Sequence, residues 1–403
     1  MSANRVKSIK YNLIEGGLAL GCRIKGGKIL PALSAGLKDT SCPGNVKYAA
    51  FAHYSDSIFA MTGDSLYKSV ESNQYLLSAI AAAKMPFLVE YNDGNKPRSA
   101  VVFNTKSVYY LDSGSTAENN RRNICGGVYK NGRVFGIDLS DSYKLWWSGE
   151  KGIKDWEERI DGAGWLYTDT ELGEIYNLLV FKGELAVIKK FGITLLDVGG
   201  TPEDFKQTVA VPTPAIYQNC SVVCGNKLYF YTTDGLYAFN GSAAEKVEID
   251  GTSDFTSAVY GMTHGTCLFF AGTHNGLEKG VILVYDTKDA THYFIDAAAT
   301  ALVAANNLYA YVKGGVVKLE RGNPYTYRSE EFGHFSKRKK TLESIFIDCD
   351  TGVDLTVQTE SGSRLFKGVK GKVLTRARGA HFNVSVTGTY AEIREMSATV
   401  EYY

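Results

Sequence analysis

Short apolar strands that alternate with tight polar turns recur along most of this chain. The copies are centred near residues 57, 99, 132, 183, 225, 265 and 306, and each pairs one apolar run with another across a turn. In the clearest copy Asp234-Gly235 separates two aromatic-rich halves, and Asp-Gly is a strong signal for a two-residue hairpin. The pattern predicts successive antiparallel hairpins rather than helices.

The spacing of these copies indicates how the hairpins assemble. A repeat of roughly 40 residues is typical of β-propeller blades, each of which is a small antiparallel sheet. One such sheet cannot cover its own apolar faces, so blades become stable by stacking around an axis. We predict an all-β fold with a propeller of about seven blades over residues 46–322. Counts of six or eight stay open if one weak unit is miscounted.

The pattern changes on both sides of the repeats. Residues 1–45 contain one plausible strand and several glycines, and we interpret them as a lead-in arm able to lend a strand to the last blade. Such a strand would close the ring and remove unpaired sheet edges. After residue 322 several segments alternate apolar and polar positions, as half-buried strands do. They are 344–348, 353–357, 381–386 and 398–402. Residues 323–403 are therefore predicted to form a small β-sandwich used for docking.

Composition agrees with this fold class and limits the function. The chain has 403 residues, with 26 Tyr, 19 Phe and 42 Gly, which suits strands joined by turns. Its 44 basic residues nearly balance its 43 acidic residues, so the chain lacks the excess of basic residues that is typical of nucleic-acid binders. No apolar run reaches the roughly 20 residues of a membrane span. Seven scattered cysteines indicate buried thiols in a reducing compartment rather than a disulfide framework.

A search for catalytic motifs finds none that has all the residues its chemistry requires. The segment Ser140–Trp146 approaches a sialidase-type Asp box but lacks its glycine. The six histidines have no metal-ligand spacing; His264 and His274 lie at the two ends of one predicted hairpin, where a turn role is the favoured interpretation. Phosphate-binding and nucleophile-elbow motifs are also missing. We expect no catalytic residue, cofactor or metal site, and no enzymatic activity.

Two groups of side chains are candidates for partner binding. The first group is basic and could contact phosphates or an acidic subunit. The alternative interpretation is that these residues belong to a solvated hairpin whose charge is balanced by nearby carboxylates. The first group comprises Lys337, Arg338, Lys339, Lys340, Arg364, Lys367, Lys370, Lys372, Arg376 and Arg378. The second group is Trp146, Trp147 and Trp156, interpreted first as core and alternatively as anchors for a neighbouring subunit.

A series of motifs within residues 130–403 has a characteristic order. They are Leu145-Trp146-Trp147-Ser148, Asp155-Trp156, the segment 173–185, Thr201-Pro202-Glu203-Asp204-Phe205, the Asp234-Gly235-Leu236-Tyr237 hairpin and the ending 386–393. In order and spacing they resemble the tail nozzle and tail-tube-closing proteins of short-tailed bacteriophages, and related packaged-DNA stabilisation proteins.

This resemblance implies a virion structural protein that forms an oligomeric ring of the tail, with a hexamer as one candidate form. The ring would continue the DNA channel below a portal or adaptor, contact other tail proteins and let DNA pass. It would lie in the virion tail, and in the host cytoplasm during assembly. The alternative is a propeller that recognises a glycan or protein through exposed aromatic residues. A propeller hydrolase ranks last because no acid/base pair supports it.

Overall fold

The computed structural model describes most of the chain, and its regular elements are almost all strands. The described residues are 7–14, 16–42, 44–70, 73–79, 86–93, 96–102, 107–110, 115–118, 123–150, 155–158, 162–249, 252–334 and 340–402. Four single-turn 3-10 helices lie within these ranges, at His53–Ser55, Thr170–Leu172, Pro202–Asp204 and Asn275–Leu277. Within the same ranges no helix has the length and apolar character needed to cross a bilayer.

The N-terminal segment contributes five strands that join different parts of the molecule. They are β1 (Lys7–Asn12), β2 (Leu18–Leu20), β3 (Cys22–Lys25), β4 (Lys28–Pro31) and β5 (Ser34–Asp39).

The next 24 strands form six antiparallel units of four strands each, taken in chain order. We number these units as blades one to six. Blade one comprises β6 (Tyr48–Ala52), β7 (Ser57–Met61), β8 (Ser65–Val70) and β9 (Asn73–Ala79); blade two comprises β10 (Phe87–Asp93), β11 (Lys96–Val102), β12 (Ser107–Tyr110) and β13 (Ser115–Glu118). Blade three comprises β14 (Ile124–Lys130), β15 (Arg133–Asp138), β16 (Lys144–Trp147) and β17 (Gly164–Tyr167); blade four comprises β18 (Ile175–Phe181), β19 (Glu184–Lys189), β20 (Gly192–Asp197) and β21 (Lys206–Pro212). Blade five comprises β22 (Ile216–Cys224), β23 (Lys227–Thr232), β24 (Gly235–Phe239) and β25 (Ala244–Lys246); blade six comprises β26 (Phe255–His264), β27 (Cys267–His274), β28 (Lys279–Asp286) and β29 (Thr291–Ile295).

Blade seven closes the ring with a strand from the N-terminal segment. Its own strands are β30 (Ala299–Ala304), β31 (Leu308–Val312) and β32 (Gly315–Glu320). The fourth strand is β5, which pairs antiparallel with β32 so that Ala35 lies opposite Leu319. The first strand of each blade contacts the first strand of the next, and β30 contacts β6. The fold is therefore a seven-bladed β-propeller, and each predicted sequence copy includes the second strand of one blade.

The remaining strands build a β-sandwich together with β1–β4. They are β33 (Tyr325–Arg328), β34 (Lys340–Cys349), β35 (Val353–Thr359), β36 (Gly362–Val369), β37 (Gly371–Gly379), β38 (Asn383–Gly388) and β39 (Ile393–Tyr402). One sheet has the order β3-β4-β39-β34-β37, with β1 also paired to β39. The other has the order β2-β33-β38-β35-β36, and β2 connects it to β29 of blade six.

A shared apolar core joins the sandwich to the propeller. Ile345, Leu355 and Val400 are fully buried in the sandwich, within a cluster that extends to residues of blades six and seven. The buried Tyr327 hydroxyl donates to the carbonyl oxygens of Leu13 and Ile14, at 2.9 Å each. Apolar burial supplies the main stabilisation, and satisfied hydroxyls avoid the penalty of unpaired buried polar groups. The sandwich is thus packed against the ring rather than tethered to it.

Candidate interaction surface on the sandwich

Six of the ten predicted basic residues lie on or between two edge strands of the sandwich. Arg364 and Lys367 lie on β36 and Lys372, Arg376 and Arg378 lie on β37; among the described strands, β36 pairs with β35 alone and β37 with β34 alone. Lys370 occupies the turn between them. Because strand residues alternate between faces, the even-numbered positions of β37 point outward while Thr375 and Gly379 are buried. We call these six exposed basic residues the basic edge.

The two edge strands are joined at the corner where the two sheets meet. The Nη1 atom of Arg364 on β36 donates to the carbonyl oxygen of Thr375 on β37, at 3.0 Å. The Nζ atom of Lys370 donates to the carbonyl oxygen of Asp350, also at 3.0 Å. These contacts satisfy donors without neutralising charge, because a carbonyl oxygen carries no formal charge. Arg364 and Lys370 therefore keep their positive charge at exposed positions.

The carboxylates expected to balance this charge have other partners. Asp348 pairs with Arg394 through two hydrogen bonds of 2.9 Å, and this guanidinium lowers the pKa of the Asp348 carboxyl. Asp350 accepts from the backbone N–H of Glu392, and Asp354 accepts from the N–H of Gly368. Considering only the residues that the structure describes, no basic-edge side chain forms an ion pair with a carboxylate within 4.0 Å. The basic edge therefore lacks a direct ion pair, while Lys370 still lies close enough to Asp348 to help lower the pKa of that carboxyl.

Exposed apolar side chains lie among these charges. Leu365 and Leu374 are each 54% exposed and Phe346 is 38% exposed. Phe346 stands directly opposite Lys372 in the β34–β37 ladder, and Leu374 stands opposite Ser344. Apolar residues surrounded by a charged rim are the usual composition of a protein interface. The sequence prediction missed β36 and β37 as strands, although alternating exposed residues at 372, 374, 376 and 378 carry a period-two signal.

Lys340 does not belong to the basic edge, which corrects its placement in the predicted cluster. It is 2% exposed, and its Nζ atom donates to the carbonyl oxygens of Gly333 and Ala380. Burial lowers the pKa of this ammonium, because the charged form loses water. Its role is to satisfy two backbone acceptors beneath β34. The neighbouring predicted residues Lys337, Arg338 and Lys339 lie outside the described residues.

The three tryptophans of the second predicted group are core residues in the structure. Trp146 and Trp156 are 0% exposed and Trp147 is 6% exposed, so none offers a surface to a neighbouring subunit. The Trp146 indole donates to Asp138 Oδ2 at 2.7 Å, and the Trp147 indole donates to the Gly162 carbonyl oxygen at 2.8 Å. Large aromatic rings fill space between blades while their N–H groups stay paired.

The exposed aromatic surface of blade three comes from a residue that the sequence prediction did not select. Trp165 on the outermost strand β17 is 36% exposed, and Tyr167 beside it is 54% exposed. Lys144 Nζ lies 3.7 Å from the centroid of the Trp165 ring, a cation–π contact. The Trp165 indole also donates to Glu158 Oε1 at 2.8 Å.

The described residues contain no cluster of three metal-ligating side chains. His264 pairs with Cys267 beside the β26–β27 turn, whereas His274 pairs with Phe255 at the far end of the same hairpin. The two histidines therefore do not meet. None of the seven cysteines forms a disulfide bond, and burial raises the pKa of the Cys42 thiol to about 11, which keeps it protonated at neutral pH.

Comparisons with known proteins find matches among solved structures. No family model matches the chain. No curated protein matches it either. Among solved structures it is similar to PorZ, an essential bacterial surface component of the type-IX secretion system of Porphyromonas gingivalis, with 11% identity and a TM-score of 0.50 over 84% of this chain. The chain covers 55% of PorZ, so it spans about half of that protein's length.

Two further solved structures match part of this chain at comparable identity. The WD40 domain of Neurospora crassa Pan2 has 11% identity and a TM-score of 0.47, covering 68% of this chain and 88% of that domain. A quinoprotein alcohol dehydrogenase-like protein of Bacteroides thetaiotaomicron has 14% identity and a TM-score of 0.44, and the match covers 68% of this chain and 67% of that protein. At such identities likeness concerns the fold alone, because one fold supports many functions. This chain is a β-propeller protein.

Proposed function

We propose that this chain is a structural protein of a virion, and that its copies assemble head to tail into a ring of the tail of a short-tailed bacteriophage. In this proposal the basic edge of one copy docks on an acidic surface of its neighbour, and the ring stacks on a portal or adaptor. The protein acts by assembly rather than catalysis. The motif order within residues 130–403 supports the class of virion protein.

The observation that carries the proposal is the exposed charge of the basic edge, which forms no direct ion pair among the described residues. The whole chain has a net charge of only +1, so the residues outside the basic edge are net acidic. Opposite charges on different parts of one surface favour a heterologous contact, and heterologous contacts that close generate rings. The exposed Phe346, Leu365 and Leu374 add the apolar surface that a lasting interface needs. Glycan recognition through Trp146 and Trp147 has less support, because both are buried.

Native mass spectrometry and electron microscopy of the full chain test this proposal, alone and mixed with a portal protein of a short-tailed bacteriophage. We expect rings that dissociate as salt rises, because exposed charges are screened. The double charge reversal Lys372→Glu with Arg376→Glu should abolish them. The matched control Lys206→Glu with Lys227→Glu makes the same charge change at exposed positions on blades four and five. Monomers under every condition, or equal loss in the control, would contradict the proposal.

A further inference from the structure

A cavity of about 460 Å³ lies at the seam between blade six and the sandwich. At this seam β29 meets β2 through a single parallel bridge between Phe294 and Leu20. Residues 16–19 on one side and 290–294 on the other both line the cavity. The space is therefore a gap in the continuous sheet, and it is separate from the basic edge.

Two buried polar atoms at this cavity have no hydrogen-bond partner among the described residues. His274 lines the cavity and is 5% exposed, and its Nδ1 atom is unpaired. The Oγ1 atom of Thr291, another lining residue, is likewise buried and unpaired. Buried polar groups in native proteins are nearly always paired, so such atoms mark a place where a ligand or water completes the structure. Burial also lowers the pKa of His274, which leaves its imidazole neutral at neutral pH and able to accept a hydrogen bond.

The lining of the cavity also includes two carboxylates. Asp254 and Glu330 line it and are exposed, while its described lining contains no lysine or arginine. A hydrogen bond of 2.8 Å from the Asn275 N–H to the Asp254 carbonyl oxygen holds Asp254 beside the end of β27. On the sandwich side, a Cβ at Gly16 would lie 2.5 Å from the Glu330 carboxylate, so the missing side chain leaves room for this charge. The remaining wall is apolar and includes Leu18 and Ile24.

We propose that this cavity binds a small aliphatic ammonium ion. The ammonium group is a pure donor with positive charge, and it matches a lining that supplies carboxylate oxygens and an unpaired imidazole nitrogen. Its alkyl chain packs against Leu18, Ala19 and Ile24. An anion of the same size is repelled by Asp254 and Glu330, and a neutral alcohol gains no charge interaction. The proposal does not depend on the virion role.

Isothermal titration of the full chain with n-butylammonium chloride tests this assignment, with n-butanol and sodium butyrate as size-matched probes. We expect saturable binding of the amine and at least tenfold weaker binding of both other probes. Asp254→Asn should weaken amine binding at least tenfold. Asp296→Asn is the matched control, because Asp296 belongs to the same region of blade six, pairs with Lys279 and does not line the cavity.

A second variant and a spectroscopic measurement keep the test decisive if Asp254→Asn folds poorly. Glu330→Gln removes the other carboxylate at an exposed position, and it should weaken amine binding while circular dichroism stays unchanged. The side-chain nitrogen resonances of His274 should shift on titration with the amine, whereas those of exposed His334 should not. Equal binding of amine and alcohol, unchanged affinity in both carboxylate variants, or occupancy by water only would overturn the proposal.

Discussion

Lys189, at the end of β19 in blade four, allows a quantitative test of how burial controls ionisation in this fold. The residue is 0% exposed, and its Nζ atom donates to the carbonyl oxygens of Asp169 and Gly173. Burial lowers the pKa of this ammonium from 10.5 to about 8, with the negative charge of Asp169 acting in the opposite direction. The informative perturbation is Lys189→Met, which keeps a long side chain and removes the ionisable group.

The sign of the effect follows from the two pKa values. Because the folded-state pKa lies below the unfolded value, the unfolded chain binds the proton more tightly between pH 8 and pH 10.5. Charging Lys189 therefore destabilises the fold fully below about pH 8, and this penalty disappears as pH rises through the unfolded pKa. The difference between the two values corresponds to an upper limit of about 3 kcal/mol. Leaving two carbonyls unpaired in Lys189→Met adds a cost that does not depend on pH.

Urea unfolding followed by tryptophan fluorescence measures this effect between pH 7 and pH 10.5. Tyrosines and cysteines that the fold buries titrate in this range once the chain is unfolded, but they are common to every variant and cancel in the difference. The free energy of unfolding of wild type minus that of Lys189→Met should rise by about 2 to 3 kcal/mol across this range. Lys190→Met, which removes the adjacent exposed lysine, should track wild type. Parallel pH profiles for wild type and Lys189→Met would refute the reasoning.

Two further predictions concern ring closure and the core. A Cβ at Gly315 would lie 2.2 Å from the Asp39 backbone oxygen, so Gly315→Ala should displace β5, speed amide exchange in that strand and cost about 3 kcal/mol in urea unfolding. A Cβ at Gly314 would meet only the flexible end of Lys38, at 3.8 Å, so Gly314→Ala should cost about 1 kcal/mol through its positive φ. Equal effects of the two variants would argue against closure by β5. Trp146→Ala should lose about 3 to 5 kcal/mol of unfolding free energy, because it empties a buried site. The exposed Trp165→Ala should lose less than about 1 kcal/mol, and the opposite ranking would contradict a core role for Trp146.

The propeller follows closely from local sequence patterns. Each hairpin is specified by apolar runs and turn residues that are near neighbours in the chain, so the signals for all seven blades can be read without knowing the fold. The same argument explains the strands that were predicted after residue 340, because each of them has one buried face. By contrast, β36 was missed because it is exposed on both faces over most of its length, so its residues show no clear alternation.

Pairing between distant segments depended on the tertiary structure. The sequence suggested that the N-terminal segment lends a strand to the last blade, but nothing local shows that this strand is β5. Nor does anything local show that β1–β4 join a sandwich made of the last seven strands, because these contacts connect residues roughly 280 to 400 positions apart. Lys340 and Lys372 are similar in sequence context, yet one is buried under two carbonyl oxygens and the other is exposed on an edge strand. The cavity beside His274 likewise exists only because β2 meets β29 through one bridge.

Sequence alone determined which segments are strands and which of their faces are apolar, since these depend on neighbouring residues. The folded chain decided which strands pair and which charged side chains stay in water, since both depend on residues that are distant in the sequence.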